Sequence, residues 1–277
     1  MSSQSPTDWL GHTIQSEQRI DPLLVERFAA TLGTTRPGPG DALPALWHWA
    51  FFQPAEDPTG LGRDGHPARG GFLPPADDRH RMWAGGRLTF HRPLIVDADA
   101  RRDSEITRVE EKQGRSGALL FVTVRHEYHQ HGEHAFTEEQ DIVYRQPSAP
   151  RLVLDESVAE AEWAETIEPS PVLLFRYSAV TFNGHRIHYD WPYATEIEGY
   201  PGLVVHGPLI ATRLFHAFVR AHPEATIDSF TFRSLRPLIA PKPFDVAGRI
   251  DRPGHAELWA ANDDGPAQRG EIVFREP

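Results

Sequence analysis

The 277-residue sequence predicts an α+β fold made of two tandem copies of one unit, because three segments recur in the same order. PLLVERFAATLG at 22–33 aligns with PVLLFRYSAVTF at 171–182. Arg-Pro-Leu-Ile occurs at 92–95 and again at 236–239, and DIVYR at 141–145 is echoed by EIVFR at 271–275. Matches that keep their order along the chain indicate a duplicated structural unit.

Each copy is predicted to contain a helix, a long irregular segment and an antiparallel meander of about four strands. In the first copy, Asp21 and Pro22 begin the helix and Gly33 ends it. Four segments have the pattern of strands, at 88–96, 104–113, 118–130 and 136–145. In the second copy, GPLIATRLFHAFVRAH at 207–222 has the apolar spacing of an amphipathic helix. Two sheets that each wrap around a central helix and join edge to edge form the double hot-dog fold.

The chain therefore divides into an N-terminal hot-dog-like domain at 1–146, a linker at 147–165 and a C-terminal domain at 166–277. The linker, PSAPRLVLDESVAEAEWAE, differs in composition from both flanks. Residues 1–20 are predicted to be a frayed leader. The Gly- and Pro-rich stretch at 60–86 is predicted to be mostly loop.

Composition excludes several classes of function. A net charge of −11 argues against general nucleic-acid binding, which depends on neutralising phosphates. No run of about 18 apolar residues is present, so we expect no membrane span. The start, MSSQSPTDWLG, has neither the basic region of a secretory signal nor the early Arg of a transit peptide. The absence of cysteine removes disulfides, thiolate nucleophiles and Cys-ligated zinc. We expect a cytoplasmic protein.

The densest polar cluster holds four residues within eight positions: Asn183, His185, His188 and Asp190. Eighteen residues after His188, His206-Gly207-Pro208 opens the predicted helix. A helix N-terminus offers free N–H groups and a positive dipole end to a developing anion. Histidine can accept or donate a proton near neutral pH. The pattern predicts a site where a proton moves beside a developing anion.

Metal binding is the main alternative for these histidines. His185, His188 and His206 could act as ligands, but no carboxylate lies at a familiar metal-binding spacing, so we expect no metal. A second group of histidines falls in a predicted strand-turn-strand segment: His126, His129, His131 and His134. A solvated hairpin is the expectation there.

The two motifs resemble those of the MaoC-like (R)-specific enoyl-thioester hydratases and dehydratases. That family's signature is Asp-x-Asn-Pro-aliphatic-His, followed by aliphatic-x-His-Gly at the hot-dog helix. TFNGHRIHYD puts Asn183 at the family's Asp and His188 at its His, and VVHGPLIATRLF supplies the second element. RMWAGGRLTF at 81–90 resembles the partner domain of the hydroxyacyl-thioester dehydratase type 2 branch, which includes mesaconyl-C4-CoA and itaconyl-CoA hydratases. The resemblance covers residues 20–277.

The resemblance implies reversible hydration of an enoyl-CoA thioester without a metal or redox cofactor. In that scheme the Gly207 amide polarises the thioester carbonyl, while Asn183 and His188 hold water between them. Asn183 can orient water but cannot accept its proton, so His188 carries the acid–base chemistry and Asp190 is a candidate to orient it. His185 and His206 are expected to line the substrate. A straight offset of 149 places no such residues in the first copy, which is therefore predicted to be catalytically silent.

A short branched acyl group derived from a dicarboxylate, such as itaconyl or mesaconyl-C4, has a free carboxylate that suits arginine. The candidate partners are Arg79, Arg81 and Arg233, with Asp77 and Asp78 as competing ion-pair partners of the first two.

Three other functions stay open: a fatty-acid-type 3-hydroxyacyl-thioester dehydratase, a hot-dog thioesterase, and a non-catalytic acyl-CoA-binding module. The 207–222 helix has no carboxylate, which counts against the thioesterase. Homodimerisation also stays open, because two fused halves already supply the pairing that single hot-dog chains obtain by dimerising.

Overall fold

The computed structural model describes residues 5–76, 79–114 and 117–276. The N-terminal half contains one helix and five strands: β1 (Thr13–Arg19), α1 (Pro22–Leu32), β2 (His80–Phe90), β3 (Asp99–Gly114), β4 (Gly117–Gln130) and β5 (Glu133–Arg145). The C-terminal half contains β6 (Trp163–Ile167), α2 (Pro171–Val180), α3 (Gly207–Ala221), β7 (Thr226–Ser234), β8 (Phe244–Arg252), β9 (His255–Asn262) and β10 (Gly265–Arg275). No helix in the described ranges is both long and apolar enough to span a bilayer.

All ten strands join one antiparallel sheet in the order β1-β3-β4-β5-β2-β7-β10-β9-β8-β6. The C-terminal half repeats the strand order of the N-terminal half in mirror image, with the pair of β2 and β7 at the centre. That pairing runs from Gly85 opposite Arg233 to Thr89 opposite Ser229. The predicted duplication and the edge-to-edge joining of two sheets are therefore confirmed.

The helix ends predicted for the first copy are confirmed by their capping geometry. The Asp21 carboxylate accepts a hydrogen bond from the Leu23 amide at 2.7 Å at the start of α1. Gly33 ends the helix with φ of +66°, a left-handed conformation that glycine adopts without steric cost. At the equivalent position of the second copy, the Ser170 hydroxyl caps α2 by accepting from the Leu173 amide.

The predicted frayed leader is wrong for the described part of residues 1–20. Trp9 is buried and donates its indole N–H to the Gly71 carbonyl at 2.9 Å. β1 then pairs with β3 along its whole length. Its side chains are mostly exposed, so the strand is held by backbone hydrogen bonds at the sheet edge and leaves no alternating apolar pattern in the sequence.

Two predicted loop boundaries also shift. β2 begins at His80, inside the stretch predicted to be loop, and ends at Phe90, so residues 91–96 form a bend and not the end of a strand. β6 begins at Trp163, inside the predicted linker, and pairs with β8. Asp77 and Asp78, predicted as ion-pair partners, lie outside the described residues.

The two halves differ in the segment that covers the buried face of the sheet. The Arg-Pro-Leu-Ile repeats form equivalent bends, where Ile95 bridges to Ala42 and Ile239 bridges to Val204. In the C-terminal half the chain runs from the bridge residue Val204 into the 15-residue helix α3. In the N-terminal half it runs from the bridge residue Ala42 into a buried 3₁₀ turn at Trp47–Ala50. Within the described residues, the expected long central helix is thus present only in the C-terminal half.

Candidate active site

A cavity of about 2260 Å³ lies between the halves and is lined by residues of both. This volume exceeds the range of about 300–1,000 Å³ that is usual for small-ligand pockets. The cavity wall includes the loop after α2, the first residues of α3, and residues of strands β2 to β5. The cavity is large enough for an extended ligand such as an acyl thioester of coenzyme A.

The loop after α2 turns tightly because side chains and backbone close it locally. The Asn183 amide donates to the Ser178 carbonyl at 2.8 Å. The side-chain oxygen of Asn183 accepts from the His185 amide at 3.0 Å, which is an Asx turn. A 3₁₀ turn at Arg186–His188 follows and directs His188 into the protein. Asn183 lines the cavity.

His188 is held as a neutral imidazole with one free nitrogen. Its Nδ1 lies 2.7 Å from the Val204 carbonyl oxygen, which can only accept, so Nδ1 carries the proton. Nε2 therefore keeps a lone pair. The side chain is 7% exposed and lines the cavity. Burial lowers the pKa of His188 to about 4, although the hydrogen bond to Val204 partly opposes this change.

His206 lies behind His188 and not in the cavity wall. It is 0% exposed, and its ring stacks on that of His188 with centroids 3.7 Å apart. Its Nε2 forms a 2.8 Å hydrogen bond with the Ser178 hydroxyl. Burial holds the pKa of His206 well below its usual value. The prediction that His206 contacts substrate is corrected, because this ring supports His188 from the side away from the cavity.

Gly207 is the first residue of α3 and lines the cavity. Its carbonyl accepts from the Gln268 side chain at 3.2 Å. Within the described residues, its amide has no hydrogen-bond acceptor, as expected for the first turn of a helix. A free N–H at the positive end of a 15-residue helix dipole is suited to an oxygen that gains negative charge.

Asp190 does not orient His188. Its carboxylate pairs with Arg186, with Oδ2 at 2.9 Å from Nε, and its other oxygen accepts from the Tyr193 amide at 3.1 Å. Both interactions stabilise the loop itself. The group that orients His188 is the Val204 carbonyl, a main-chain partner that the sequence gives no means of finding.

The three candidate arginines have different surroundings. Arg81 on β2 lines the cavity. Arg79 also reaches the cavity wall, but it forms an ion pair with Glu111 at 3.0 Å. Arg233 is exposed and lies outside the cavity wall, because Phe232 beside it points into the core. The prediction of a substrate contact for Arg233 is corrected for this reason.

One functional candidate was missed in the sequence. His66, from the Gly- and Pro-rich loop of the N-terminal half, lies against His185 with ring centroids 4.5 Å apart. The His185 ring in turn meets that of His188 at 5.4 Å and 89°. Both His66 and His185 line the cavity. His66 sits in an irregular segment without periodicity, so the sequence contains no signal for it.

A family model and a known enzyme both match most of this chain, including the segments that form the site. The family model for hydroxyacyl-thioester dehydratase type 2 matches residues 46–240, which include the loop after α2 and the start of α3. A mesaconyl-C(4)-CoA hydratase from Chloroflexus aurantiacus is 44% identical over 269 residues, covering 94% of this chain and 95% of the relative. The chain belongs to the hydroxyacyl-thioester dehydratase type 2 family. It is accordingly a hydro-lyase.

Solved structures of two other proteins have the same fold as this chain. HtdX from Mycobacterium tuberculosis is 20% identical and superposes with a TM-score of 0.68, covering 94% of this chain and 99% of HtdX. A second M. tuberculosis protein, described as having a double hot-dog fold, is 12% identical with a TM-score of 0.57, covering 96% of each chain. The predicted double hot-dog fold is confirmed.

The protein also has a buried polar cluster in its N-terminal half. Glu138 on β5 is 0% exposed and accepts hydrogen bonds from four side chains: His48, Trp49, Tyr128 and Gln140. Burial alone would raise the pKa of Glu138, but His48 and the other donors lower it to about 2. The carboxylate is therefore ionised and fully paired, which suits a structural role.

The histidine hairpin of β4 and β5 is confirmed as a hairpin, but it is not wholly solvated. His126 is 6% exposed and its Nδ1 lies 2.7 Å from the Ser104 hydroxyl. It faces the core because even-numbered residues of β4 point inward. Within the described residues, no group of three or more His, Asp or Glu side chains is arranged to hold a metal ion.

Proposed function

We propose that the chain catalyses the reversible addition of water to a short branched enoyl-CoA with a distal carboxylate. Itaconyl-CoA and mesaconyl-C4-CoA, which give citramalyl-CoA, are the substrates of this class. The observation that carries the proposal is the presence of a neutral His188, with a free Nε2, and the first amide of α3 in the lining of one cavity. The 44% identity to a mesaconyl-C(4)-CoA hydratase supports the choice of acyl group.

For mesaconyl-C4-CoA, whose double bond is conjugated with the thioester, the reaction would proceed with one water molecule and no net change in the enzyme. His188 Nε2 takes a proton from water as the water oxygen bonds to the β-carbon. The electron pair of the double bond moves toward the thioester, and the oxygen of the resulting enolate accepts a hydrogen bond from the Gly207 amide. The His188 imidazolium then gives its proton to the α-carbon, which restores the neutral ring.

Asn183 would position the water. Its side-chain oxygen is already occupied by the His185 amide, so its NH₂ group is the part available to the cavity. An amide NH₂ donates to a water oxygen but cannot take a proton from it. In this proposal, therefore, all proton transfer passes through His188.

Arg81 is the arginine best suited to the distal carboxylate. It lines the cavity from β2, and no ion-pair partner is found for it within residues 5–76, 79–114 and 117–276. A guanidinium can bind a carboxylate with two parallel hydrogen bonds. A short acyl group held at His188 would thus be bound at its other end by the N-terminal half.

We propose that the N-terminal domain, residues 1–146, is catalytically silent and that the active site belongs to the C-terminal domain. The equivalent bridges at Ala42 and Val204 align His206-Gly207 with Pro44-Ala45. Pro44 has no imidazole, and the short turn that follows has no extended helix dipole. Coenzyme A enters as part of the substrate, so the proposed steps use only groups of the chain. A cytoplasmic location and a homodimer stay predictions.

The test is a panel of CoA esters followed by two assays at once. Loss of enoyl-thioester absorbance reports hydration, and release of free thiol reports hydrolysis. We expect hydration of itaconyl-CoA or mesaconyl-C4-CoA without thiol release. Thiol release without hydration would show a thioesterase, and binding without turnover would show a binding module. Equal turnover of crotonyl-CoA would remove the carboxylate from the proposal, and preference for long acyl chains would favour a fatty-acid-type dehydratase.

A further inference from the structure

The loop that carries His66 is closed by its own hydrogen bonds. Leu61 bridges to Pro67, and the Gly62 amide donates to the His66 carbonyl at 2.7 Å. The Asp64 carboxylate accepts from the His66 amide at 3.1 Å, and Gly65 has φ of +86°. The segment at 61–67, named here the His66 loop, therefore presents its histidine in a defined position.

The His66 loop contacts the loop after α2 backbone to backbone. The Arg186 amide donates to the Asp64 carbonyl at 2.9 Å, and its guanidinium donates to the Arg63 carbonyl at 3.2 Å. A Cβ atom at Gly184 would come within 2.5 Å of the Gly65 carbonyl oxygen. Two glycines thus allow the N-terminal half to pack directly on the segment between Asn183 and His188.

Three polar groups converge on this part of the cavity with unused hydrogen-bonding capacity. Within the described ranges, no partner is found for the ring nitrogens of His66 or His185, or for the Arg81 guanidinium. All three residues line the cavity. Burial and then the nearby charge of Arg81 hold the pKa of His66 well below its usual value. The one adjacent carboxylate, Asp64, is occupied by the His66 amide and lies 3.8 Å from Arg69.

We propose that His66 is a specificity-determining residue that binds the distal carboxylate of the acyl group together with Arg81. The inference rests on the proposed function, since it assigns one end of the same substrate. His188 and Gly207 hold the thioester end. His66 and Arg81 hold the carboxylate end from the N-terminal half. His185 lies between the two groups, in contact with both His66 and His188. The silent half thereby selects the substrate that the other half converts.

The charge of Arg81 also suits a phosphate of coenzyme A, so the test must separate two anions. Succinyl-CoA and butyryl-CoA are saturated, cannot be hydrated, and differ in the distal carboxylate. Their dissociation constants, measured by calorimetry, give a preference that does not depend on turnover. A charge-assisted hydrogen bond changes affinity by roughly tenfold or more. We expect the unmodified enzyme to prefer succinyl-CoA by at least that factor.

The variants are His66→Ala, His66→Gln and Arg81→Gln, each checked for folding by circular dichroism. We expect Arg81→Gln to bring the preference close to one. His66→Ala should reduce it several-fold while butyryl-CoA binds as before, and His66→Gln, which keeps a donor, should fall between. Matched controls are Arg233→Gln on the outer face of the sheet and His131→Asn at the exposed turn of the hairpin. Both should keep the full preference.

Three results would overturn the proposal. The first is an unmodified enzyme without preference for succinyl-CoA. The second is a His66→Ala variant that binds both thioesters as tightly as the unmodified enzyme does. The third is equal weakening of both thioesters in His66→Ala, which would assign His66 to coenzyme A phosphates or to structure alone. If no enoyl-CoA is hydrated but the binding preference behaves as expected, the proposed reaction fails while the carboxylate site stands.

Discussion

The imidazoles of His188 and His206 stack with centroids 3.7 Å apart and planes 19° from parallel. His206 is fixed by the Ser178 hydroxyl, and His188 is fixed by the Val204 carbonyl. The ring of His188 is therefore held both in its plane and along one edge, and only its Nε2 is left for chemistry. In the proposed reaction, His188 would therefore be a base of fixed orientation and His206 a positioning residue.

His188→Ala should abolish most turnover. General acid–base catalysis contributes roughly 10²–10⁴-fold, and here one group both takes and returns the proton. We expect kcat to fall by at least that range, measured as loss of enoyl absorbance. Circular dichroism and the melting temperature check that the variant is folded. His131→Asn, at an exposed turn far along the chain, is the matched control. A near-normal rate in His188→Ala would mean that another residue is the base.

The pH dependence of kcat/KM should extend unusually far into acid. The active form of His188 is neutral, and burial lowers its pKa to about 4. Protonation, and with it loss of activity, should therefore occur near pH 4 and not near the usual 6.5. The rate is measured from pH 3.5 to 8 with tryptophan fluorescence as a check on folding at each pH. An acid limb centred near 6.5 would contradict the environment described for His188.

Asn183→Asp should move that acid limb upward. The new carboxylate keeps the acceptor for the His185 amide, so the Asx turn should form as before. A negative charge near His188 stabilises the imidazolium, which raises the pKa and shifts the acid limb above pH 4. Asn183→Ala removes both the turn acceptor and the NH₂ donor, so we expect a loss of rate without a shift of the limb. Identical pH profiles for the unmodified enzyme and Asn183→Asp would argue that residue 183 lies too far from His188 to hold shared water.

Glu138→Gln should destabilise the protein without touching the catalytic groups. Trp49 and Tyr128 both donate to this buried carboxylate. The side-chain NH₂ of a glutamine can only donate, so at least one of these donors would lose its acceptor. Breaking a buried charged network costs about 3–5 kcal/mol, measured by urea unfolding at pH 7. Burial raises and the surrounding donors lower the pKa of Glu138, with a net value of about 2. Its stabilising contribution is present above about pH 4.5 and is lost as the pH falls toward 2.

The urea unfolding of Glu138→Gln can also contradict a structural role for this cluster. If Glu138→Gln unfolds at the same urea concentration as the unmodified protein, the cluster is not a structural element of the N-terminal half. The folded fraction of the variant should keep its kcat, because Glu138 is not among the residues that line the cavity.

Much of the fold could be predicted because its signals are local. Asp21 and Gly33 bound α1 through their own side chain and backbone preference, and the apolar spacing of α3 is complete within 15 residues. β1 could not be predicted, since its exposed side chains carry no pattern and its pairing partners lie 80 to 92 residues away. The direction of Arg233 was readable in principle, because Phe230 and Phe232 point inward and strand alternation sends the residue after Phe232 outward.

The candidate site likewise has residues that the sequence predicts and contacts that it does not. Asn183, His188 and Gly207 form a motif in sequence, and all three line the cavity. The Val204 carbonyl, the burial of His206 and the approach of His66 depend on contacts between segments far apart in the chain. Gly65 and Gly184 make that approach possible, yet each is an ordinary loop glycine until the two backbones are seen together.

The pairing of β2 with β7 joins in one polypeptide what a homodimer would join between two. In a symmetric dimer every substitution at such a seam appears on both sides, so neither side can specialise alone. Here separate codons encode the two sides. One side carries a short aromatic turn where the other carries a long helix. A substitution on one side of this seam therefore leaves the other side unchanged, so each side can serve a different purpose.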